Sequence, residues 1–250
     1  MSSSPTARRE SIDFGRAFTF VTEDPDWVSK VLLGGLFSFL SLLLVGAFFV
    51  AGYMVRLIRR SARGEERPLP EWDDLGGIFG DGLRAMGIYL AYAFIFFLVP
   101  AIVGCVAGAM GGGIAGVLAS GRSSDDAAGA LMALGFLIFY GLILIASLAL
   151  SIYLPAAFVR FALLDHFEAA FDFRENLAFI RRNLANYALS LVLYLVASFA
   201  AQFGFLLCCV GFFPAAFWAY CLFGWSLGQT ARFDGELTGD TALTPTIGGV

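Results

Sequence analysis

Residues 183–231 read NLANYALSLVLYLVASFAAQFGFLLCCVGFFPAAFWAYCLFGWSLGQTA, which is 49 consecutive residues without a charged side chain. A helix that crosses the hydrocarbon core of a bilayer, which is about 30 Å thick, needs about 20 mostly apolar residues. A buried helix of a water-soluble protein seldom stays uncharged for more than about 14 residues. The stretch is long enough for two membrane segments, and it predicts that lipid surrounds much of the chain.

Three more uncharged runs precede this stretch, at 31–55, 85–121 and 127–159. Of the 250 residues, 59% are hydrophobic and 14% are charged, against about 25% charged residues in soluble domains. We therefore predict an all-α fold, a polytopic membrane helical bundle with five or six membrane segments and amphipathic cytoplasmic interfacial helices.

The four runs and the polar sequence between them define one membrane domain. We divide it into an N-terminal tail with an interfacial helix (1–29), a first membrane segment or short hairpin (30–60), a cytoplasmic loop with an amphipathic helix (61–84), a second membrane hairpin (85–160), a cytoplasmic amphipathic helix (161–184), a third membrane hairpin (185–231) and a C-terminal tail expected to be flexible (232–250). The start of the chain is polar and has no signal-peptide pattern, so we expect no cleavage there.

Arginine side chains predict the orientation, because short cytoplasmic loops carry an excess of Lys and Arg. Residues 56–84 contain six Arg and residues 160–182 contain four, whereas the loop after residue 121 has only Arg122 beside two aspartates. We therefore expect a multi-pass protein of the inner membrane with both Arg-rich loops and the C-terminus in the cytoplasm.

The run at 31–55 allows two topologies. A single span would place the N-terminus outside, although Arg8, Arg9, Arg16 and Lys30 precede the run. A short hairpin that turns near 41–46 would keep both flanks in the cytoplasm, and we favour it on the charge rule.

A short pattern recurs before the membrane segments. Ile12-Asp13-Phe14 followed by Phe20-Val21 has the spacing of Phe171-Asp172-Phe173 followed by Phe179-Ile180, and a looser copy begins at Trp72-Asp73-Asp74, directly after Glu71. The residues after each copy include an apolar stripe at helical spacing, which is typical of helices that lie on a membrane surface.

Several motifs together resemble a known family. They are Asp24-Pro25-Asp26-Trp27, Gly52-Tyr53 with Arg56, Leu69-Pro70-Glu71-Trp72-Asp73-Asp74, Phe79 with Asp81-Gly82-Leu83, Ala170-Phe171-Asp172-Phe173 and Leu227-Gly228-Gln229. Across nearly the whole chain they resemble the prokaryotic membrane-protein family known as domain of unknown function 4013. The resemblance implies several membrane helices and no assigned activity.

The candidate chemistry is sparse. No Asp, Glu, His, Lys or Arg lies within the predicted spans, which disfavours an ion-coupled transporter. The sequence has no phosphate-binding loop, nucleophile motif or metal-ligand spacing, and its four Cys lie in apolar sequence without a nearby His. We expect no catalytic site, cofactor, metal or nucleic-acid partner, and we expect His166 to be an interfacial residue rather than a catalyst.

Three sets of residues are candidates for other roles. Gly104, Gly108, Gly112 and Gly116 recur every fourth residue, as in helix-packing or oligomer faces, with a pore-lining face as the alternative. Glu71, Asp73 and Asp74 could bind a cation, but capping of a helix is the simpler interpretation. Arg56, Arg59, Arg60, Arg181 and Arg182 are expected to contact anionic lipids.

These observations favour a non-enzymatic membrane protein of structural, assembly or partner-binding type. Its expected partners are the lipid bilayer and either a second copy or another membrane protein. The alternative is a passive channel or carrier for small or lipid-like molecules, formed as a homo-oligomer.

Overall fold

The computed structural model describes residues 12–119, 125–206, 211–234 and 237, without the side chains of 107, 109–119 and 125–132. Every regular element in these ranges is helical. The α-helices are α1 (Phe14–Thr19), α2 (Trp27–Leu40), α3 (Val45–Ala62), α4 (Leu75–Ala119), α5 (Asp125–Leu164), α6 (Phe173–Arg182), α7 (Leu184–Gln202) and α8 (Phe212–Arg232). Short 3₁₀ turns follow α2, α5 and α7.

Three helical ranges among the described residues are long and apolar enough to cross a membrane. They are Leu75–Val106, Ala133–Leu164 and Leu184–Leu206. Their side chains are largely exposed, as at Leu137 (72%) and Leu195 (66%). Contiguous apolar surface of this extent is rare on soluble monomers. The all-α class with membrane-length helices is thus confirmed, at the coarser count of three candidate spans.

The chain divides into two compact units. The first contains residues 1–87 and 155–250, and the second contains residues 88–154. In the first unit α8 packs against α1, α2, α3 and α7. All residues of α8 from 221 to 228 are buried, which covers two full helical turns and therefore every face of the helix.

The hydroxyls of Ser226 and Thr230 in α8 are hydrogen-bonded inside this unit. The Ser226 hydroxyl donates to the Phe223 carbonyl at 2.9 Å, and the Thr230 hydroxyl donates to the Ser226 carbonyl at 2.9 Å. Ser190 of α7 shares a 3.2 Å hydrogen bond with Thr230. Hydroxyls bonded in this way can lie between helices at little cost.

The uncharged run at 31–55 is divided between two helices. A 3₁₀ turn at Ser41–Leu43 and Leu44, with a φ of 65°, reverse the chain between α2 and α3. The rings of Phe37 and Phe49 stack with centroids 4.6 Å apart across the pair. A Cβ on Gly46 would overlap the Phe37 carbonyl, so glycine is required for this close antiparallel approach. The helices form a hairpin; their membrane placement remains a prediction.

The predicted amphipathic helix of the 61–84 segment is not a separate element. α4 begins at Leu75 and continues through the second uncharged run. No proline interrupts residues 75–99, and extending an existing helix costs much less than starting one. The expected apolar stripe is also split, because Ile78 is fully buried while Leu75 and Leu83 are exposed.

The second unit contains the facing parts of α4 and α5. Tyr92 of α4 lies 5.4 Å from Tyr153 of α5 between ring centroids, with Phe96 packed against Tyr153. From 133 to 154 only Ala146 and Leu150 are buried, so this stretch of α5 has little protein around it within its unit.

The recurring Asp pattern proves to be a helix start. Asp13 accepts hydrogen bonds from the Gly15 and Arg16 amides, Asp172 accepts one from the Glu175 amide, and Asp74 accepts one from the Gly77 amide. Each Asp thus satisfies an amide that the first helical turn leaves unpaired. After Asp13 and Asp172, the apolar pairs Phe20-Val21 and Phe179-Ile180 are buried in the core.

Candidate functional site

Four of the six family-like motifs, those within residues 24–83, contribute side chains to a charged network at one end of α2 and α3. We define this network as Asp24, Lys30, Arg56, Arg59, Arg60, Glu71, Asp74, Asp81, Arg84 and Asp165, all in the first unit.

Lys30 is the most enclosed cation of the network. Its ammonium group donates to the Asp24 carboxylate at 2.7 Å and to the Glu71 carboxylate, and the side chains of Lys30 and Asp24 are each only 5% exposed. It also lies 3.5 Å from the Leu69 carbonyl oxygen. A buried ammonium group needs such partners because the loss of water would otherwise be very costly.

Trp72 joins this cluster to the helices beneath it. Its indole N–H donates to the Lys30 carbonyl at 3.1 Å, and its ring stacks on Tyr53 with centroids 4.5 Å apart. Phe217 of α8 packs against Tyr53, at 5.1 Å between centroids. The Tyr53 hydroxyl is buried and has no hydrogen-bond partner among the described residues.

A second group of ion pairs links α3, α4 and the end of α5. Arg56 donates to Asp74 at 2.7 Å and to Asp81 at 3.1 Å. Asp81 also accepts from Arg84 at 3.0 Å. The Arg56 guanidinium and the Gly77 amide, both bonded to Asp74, hold the pKa of this carboxyl below its usual value.

Asp165 pairs with two guanidinium groups of the network. Arg59 donates to it at 3.0 Å and Arg84 lies within 3.4 Å. Asp165 has a φ of 55°, in the left-handed region that Asp tolerates better than most residues. Arg59 additionally donates to the Ala162 carbonyl at 2.7 Å, which places a cation at the negative end of α5.

Glycines allow the helices that carry the network to touch. A Cβ on Gly52 would overlap the Ile78 carbonyl, and one on Gly82 would overlap the Phe48 carbonyl. The backbones of α3 and α4 are therefore in direct contact one turn from Arg56, which brings Asp74 and Asp81 within its reach. Gly228 similarly packs on α3, and Gln229 donates to the Ser61 carbonyl at 3.3 Å.

The 71–74 residues have different roles. Asp74 caps α4, and Asp73 accepts a hydrogen bond from the Asp74 amide at 2.9 Å just before the helix begins. Glu71 does not share that capping role, because its carboxylate pairs with Lys30. The 171–173 copy starts a different helix: Asp172 caps α6, Phe171 packs against Phe167, and Phe173 is exposed.

The arginines expected to contact lipids have protein partners in four of five cases. Arg56 and Arg59 belong to the ion pairs above, and Arg60 donates to the Leu69 carbonyl at 3.0 Å. Arg182 lies 3.3 Å from Asp234, which also accepts from Asn183 at 2.7 Å. Arg181 is exposed. Lipid contact remains a prediction for these residues.

The glycine stripe is only partly described. Gly104 faces α5, where a Cβ would collide with the Phe139 ring, so it serves packing within the second unit. A Cβ on Gly108 would meet nothing within 4 Å. Gly112 and Gly116 lie outside the residues whose side-chain surroundings are described.

Sequence reasoning missed five members of the network as site residues, namely Asp24, Lys30, Asp81, Arg84 and Asp165. Two of these residues had a signal in the sequence, because Asp24 and Asp81 belong to the family-like motifs. His166 lies exposed next to Asp165. Among the described residues, no group of three His, Cys, Asp or Glu side chains could hold a metal ion.

These features define a class: an all-helical protein with membrane-length helices and an internally paired charged network at the helix ends. Within that class the chain belongs to the family described as Protein of unknown function (DUF4013), whose model matches residues 37–210. This confirms the resemblance seen in the motifs. No curated protein and no solved structure matches the chain.

Proposed function

We propose that this protein is a non-enzymatic, multi-pass inner-membrane protein that works in assembly or partner binding. The observation that carries the proposal is the separation of the charged side chains from the long apolar stretches. The family-like motifs gather at the helix ends, whereas 85–106, 133–159 and 184–206 contain no Asp, Glu, His, Lys or Arg. Spans that move charged solutes usually carry ionisable groups at membrane depth.

The proposal places five or six segments in the bilayer. To the three candidate spans the proposal adds α8, which is 21 residues long and carries no charge before Arg232, and the α2–α3 hairpin. The Arg-rich 56–84 and 160–182 regions, the N-terminus and the C-terminal tail then lie in the cytoplasm, in keeping with the charge rule. Both hairpins, α2–α3 and α7–α8, begin and end beside charged residues of the same unit, which supports this arrangement.

α6 is the proposed contact surface. Asn176, Phe179 and Ile180 are buried, while Phe173, Arg174, Leu177 and Arg181 are exposed on the opposite face. This face combines apolar and cationic side chains, as surfaces that contact membrane interfaces or acidic partners do. Arg160 of α5 links α6 to its own helix, because its guanidinium lies 3.9 Å from the Glu175 carboxylate and donates to the Ala169 carbonyl at 3.4 Å.

Photo-crosslinking in intact cells tests this function. A benzophenone side chain at Leu177 should capture one recurring protein partner, and the same group at Arg181 should capture the same partner. The matched control is Phe179, which is fully buried on the same helix and should yield no intermolecular adduct. Adducts with lipid alone at Leu177 and Arg181 would contradict partner binding.

Reconstitution tests the competing transport class. The purified protein in proteoliposomes should not conduct ions or release small solutes above protein-free vesicles. If it does, and if Gly108→Leu abolishes the flux, the assembly function is wrong. Gly108 is the appropriate position because a Cβ added there would meet no atom within 4 Å, whereas Gly104→Leu would disturb packing on Phe139.

A further inference from the structure

The tip of the α2–α3 hairpin is an apolar surface with no protein cover in its unit. Leu42, Leu43, Leu44 and Val45 are consecutive and are 71%, 70%, 74% and 55% exposed. Turns that face water favour Gly, Asn, Asp and Ser. Here a leucine holds the position with a φ of 65°, which an L side chain adopts only with strain. The partner of this tip is therefore apolar.

The backbone of the tip tolerates hydrocarbon. A backbone amide or carbonyl without a hydrogen-bond partner is very costly in hydrocarbon, which is why irregular backbone is rare there. The Leu44 amide donates to the Ser41 carbonyl at 2.9 Å, and the Leu44 carbonyl accepts from the Ala47 amide at 3.2 Å. The hydroxyls of Ser38 and Ser41 donate to carbonyls one turn earlier, at 2.8 and 2.9 Å. The amide and the carbonyl of Leu44, the residue at the apex of the turn, are therefore both hydrogen-bonded.

The ion pairs mark the level at which the hairpin meets water. Lys30 pairs with Glu71, whose side chain is 54% exposed, and Arg56 pairs with Asp74, whose side chain is 60% exposed. Carboxylates this exposed belong in water or among head groups rather than in hydrocarbon. Lys30 on α2 and Arg56 on α3 thus lie at the same boundary.

Helix geometry then fixes the reach of the hairpin. At 1.5 Å per residue, the distance from Lys30 to Leu43 is about 20 Å, and that from Arg56 to Leu44 is about 18 Å. The hydrocarbon core is about 30 Å thick. The arms extend beyond the middle of the bilayer and end well before its far surface.

We infer that α2–α3 is a re-entrant hairpin whose Leu42–Leu43–Leu44–Val45 tip binds acyl chains in the bilayer interior. The hairpin enters and leaves on the face that holds the charged network, so it does not cross the membrane. The inference rests on the membrane placement proposed above and adds the depth and partner of one segment.

Depth-dependent fluorescence quenching tests the inference. An environment-sensitive fluorescent amino acid is introduced at Leu43, at Leu195 or at Glu66, and each variant is reconstituted into vesicles that contain brominated phosphatidylcholine. Leu195 is the middle of an exposed candidate span, and Glu66 is exposed in the loop beside the network. All three positions are exposed, so the label should not disturb packing.

Bromines near the acyl-chain ends should quench the Leu43 label several-fold more than bromines near the head group. Iodide on both faces of the vesicles should quench Glu66 strongly and should leave Leu43 as protected as Leu195. Iodide quenching of Leu43 while Leu195 stays protected would overturn the re-entrant hairpin, because the tip would then lie at an aqueous surface. Loss of bromine quenching at Leu195 as well would overturn the membrane placement itself.

Discussion

The two helices α8 and α5 are both long and apolar, yet they have opposite surroundings. The residues of α8 from 221 to 228 are all buried by other helices of the first unit, whereas the 133–154 part of α5 buries only Ala146 and Leu150 in its own unit. α8 carries Ser226, Gln229 and Thr230, all of them bonded to protein. The difference shows that uncharged sequence can mean enclosure by protein as well as exposure to lipid.

The largest loss of stability in the enclosed first unit is expected from removal of its buried cation, Lys30. Lys30→Met leaves the Asp24 carboxylate buried without its partner, and such a loss typically costs about 3–5 kcal/mol. We expect a large fall in the free energy of unfolding, measured by thermal or denaturant unfolding in detergent.

Arg67→Met is the matched control for this variant. Arg67 is exposed, and no ion pair to it is found among the described residues, so its removal should change stability by less than about 0.5 kcal/mol. Equal stability of the two variants would contradict the structural role of the Lys30 cluster.

Truncation of one leucine in each helix sharpens the comparison. Leu222 of α8 is fully buried, so Leu222→Ala should lower stability by about 2–5 kcal/mol through lost packing. Leu144 of α5 is 61% exposed, and Leu144→Ala should have little effect on the folded unit. The same unfolding assay compares them, and a larger loss for Leu144→Ala would reverse the assignment of their surroundings.

A methyl group added to a glycine gives a smaller but cleaner contrast. On Gly228 it would collide with Ser61 and the Ile58 carbonyl, so Gly228→Ala should cost about 1–3 kcal/mol. On Gly141 of α5 it would meet nothing within 4 Å, and Gly141→Ala should be neutral or stabilising through helix propensity. Tolerance of both variants would show that α8 and α3 are not in close contact.

The smallest expected effect is the acid response of Asp74. Its pKa lies below the usual value because of Arg56 and the Gly77 amide, so its contribution to stability is complete above about pH 4. That contribution should be lost as pH falls through the lowered pKa. Asp74→Asn should reduce stability at pH 7 and should flatten its decline at acid pH. If the stability of the variant declined at acid pH as steeply as that of the unmodified protein, Asp74 would not be a source of the acid response.

Local sequence features were sufficient for much of the fold. Length and charge spacing predicted the helical membrane class, Gly46 lies at the turn of the first run, and the recurring Asp residues are helix caps. Each of these depends on neighbours within a few positions.

The site could not be predicted in the same way, because it depends on contacts distant in sequence. Lys30 meets Glu71 across 41 positions, and Arg59 meets Asp165 across 106. The lack of charge, which 184–202 and 212–231 share, also could not show that α8 is enclosed by protein whereas α7 is largely exposed. Nor could the sequence show that α4 continues without a break from its Asp74 cap into an apolar helix.

Carbene labelling from the lipid phase tests the central claim most directly. Vesicles with a photoactivatable diazirine on the acyl chain are irradiated with the reconstituted, unmodified protein, and the labelled residues are mapped by mass spectrometry. We predict dense labelling of 134–152 on α5 and almost none of 221–230 on α8. Labelling of α8 as dense as that of α5, or no labelling of α5, would contradict the account.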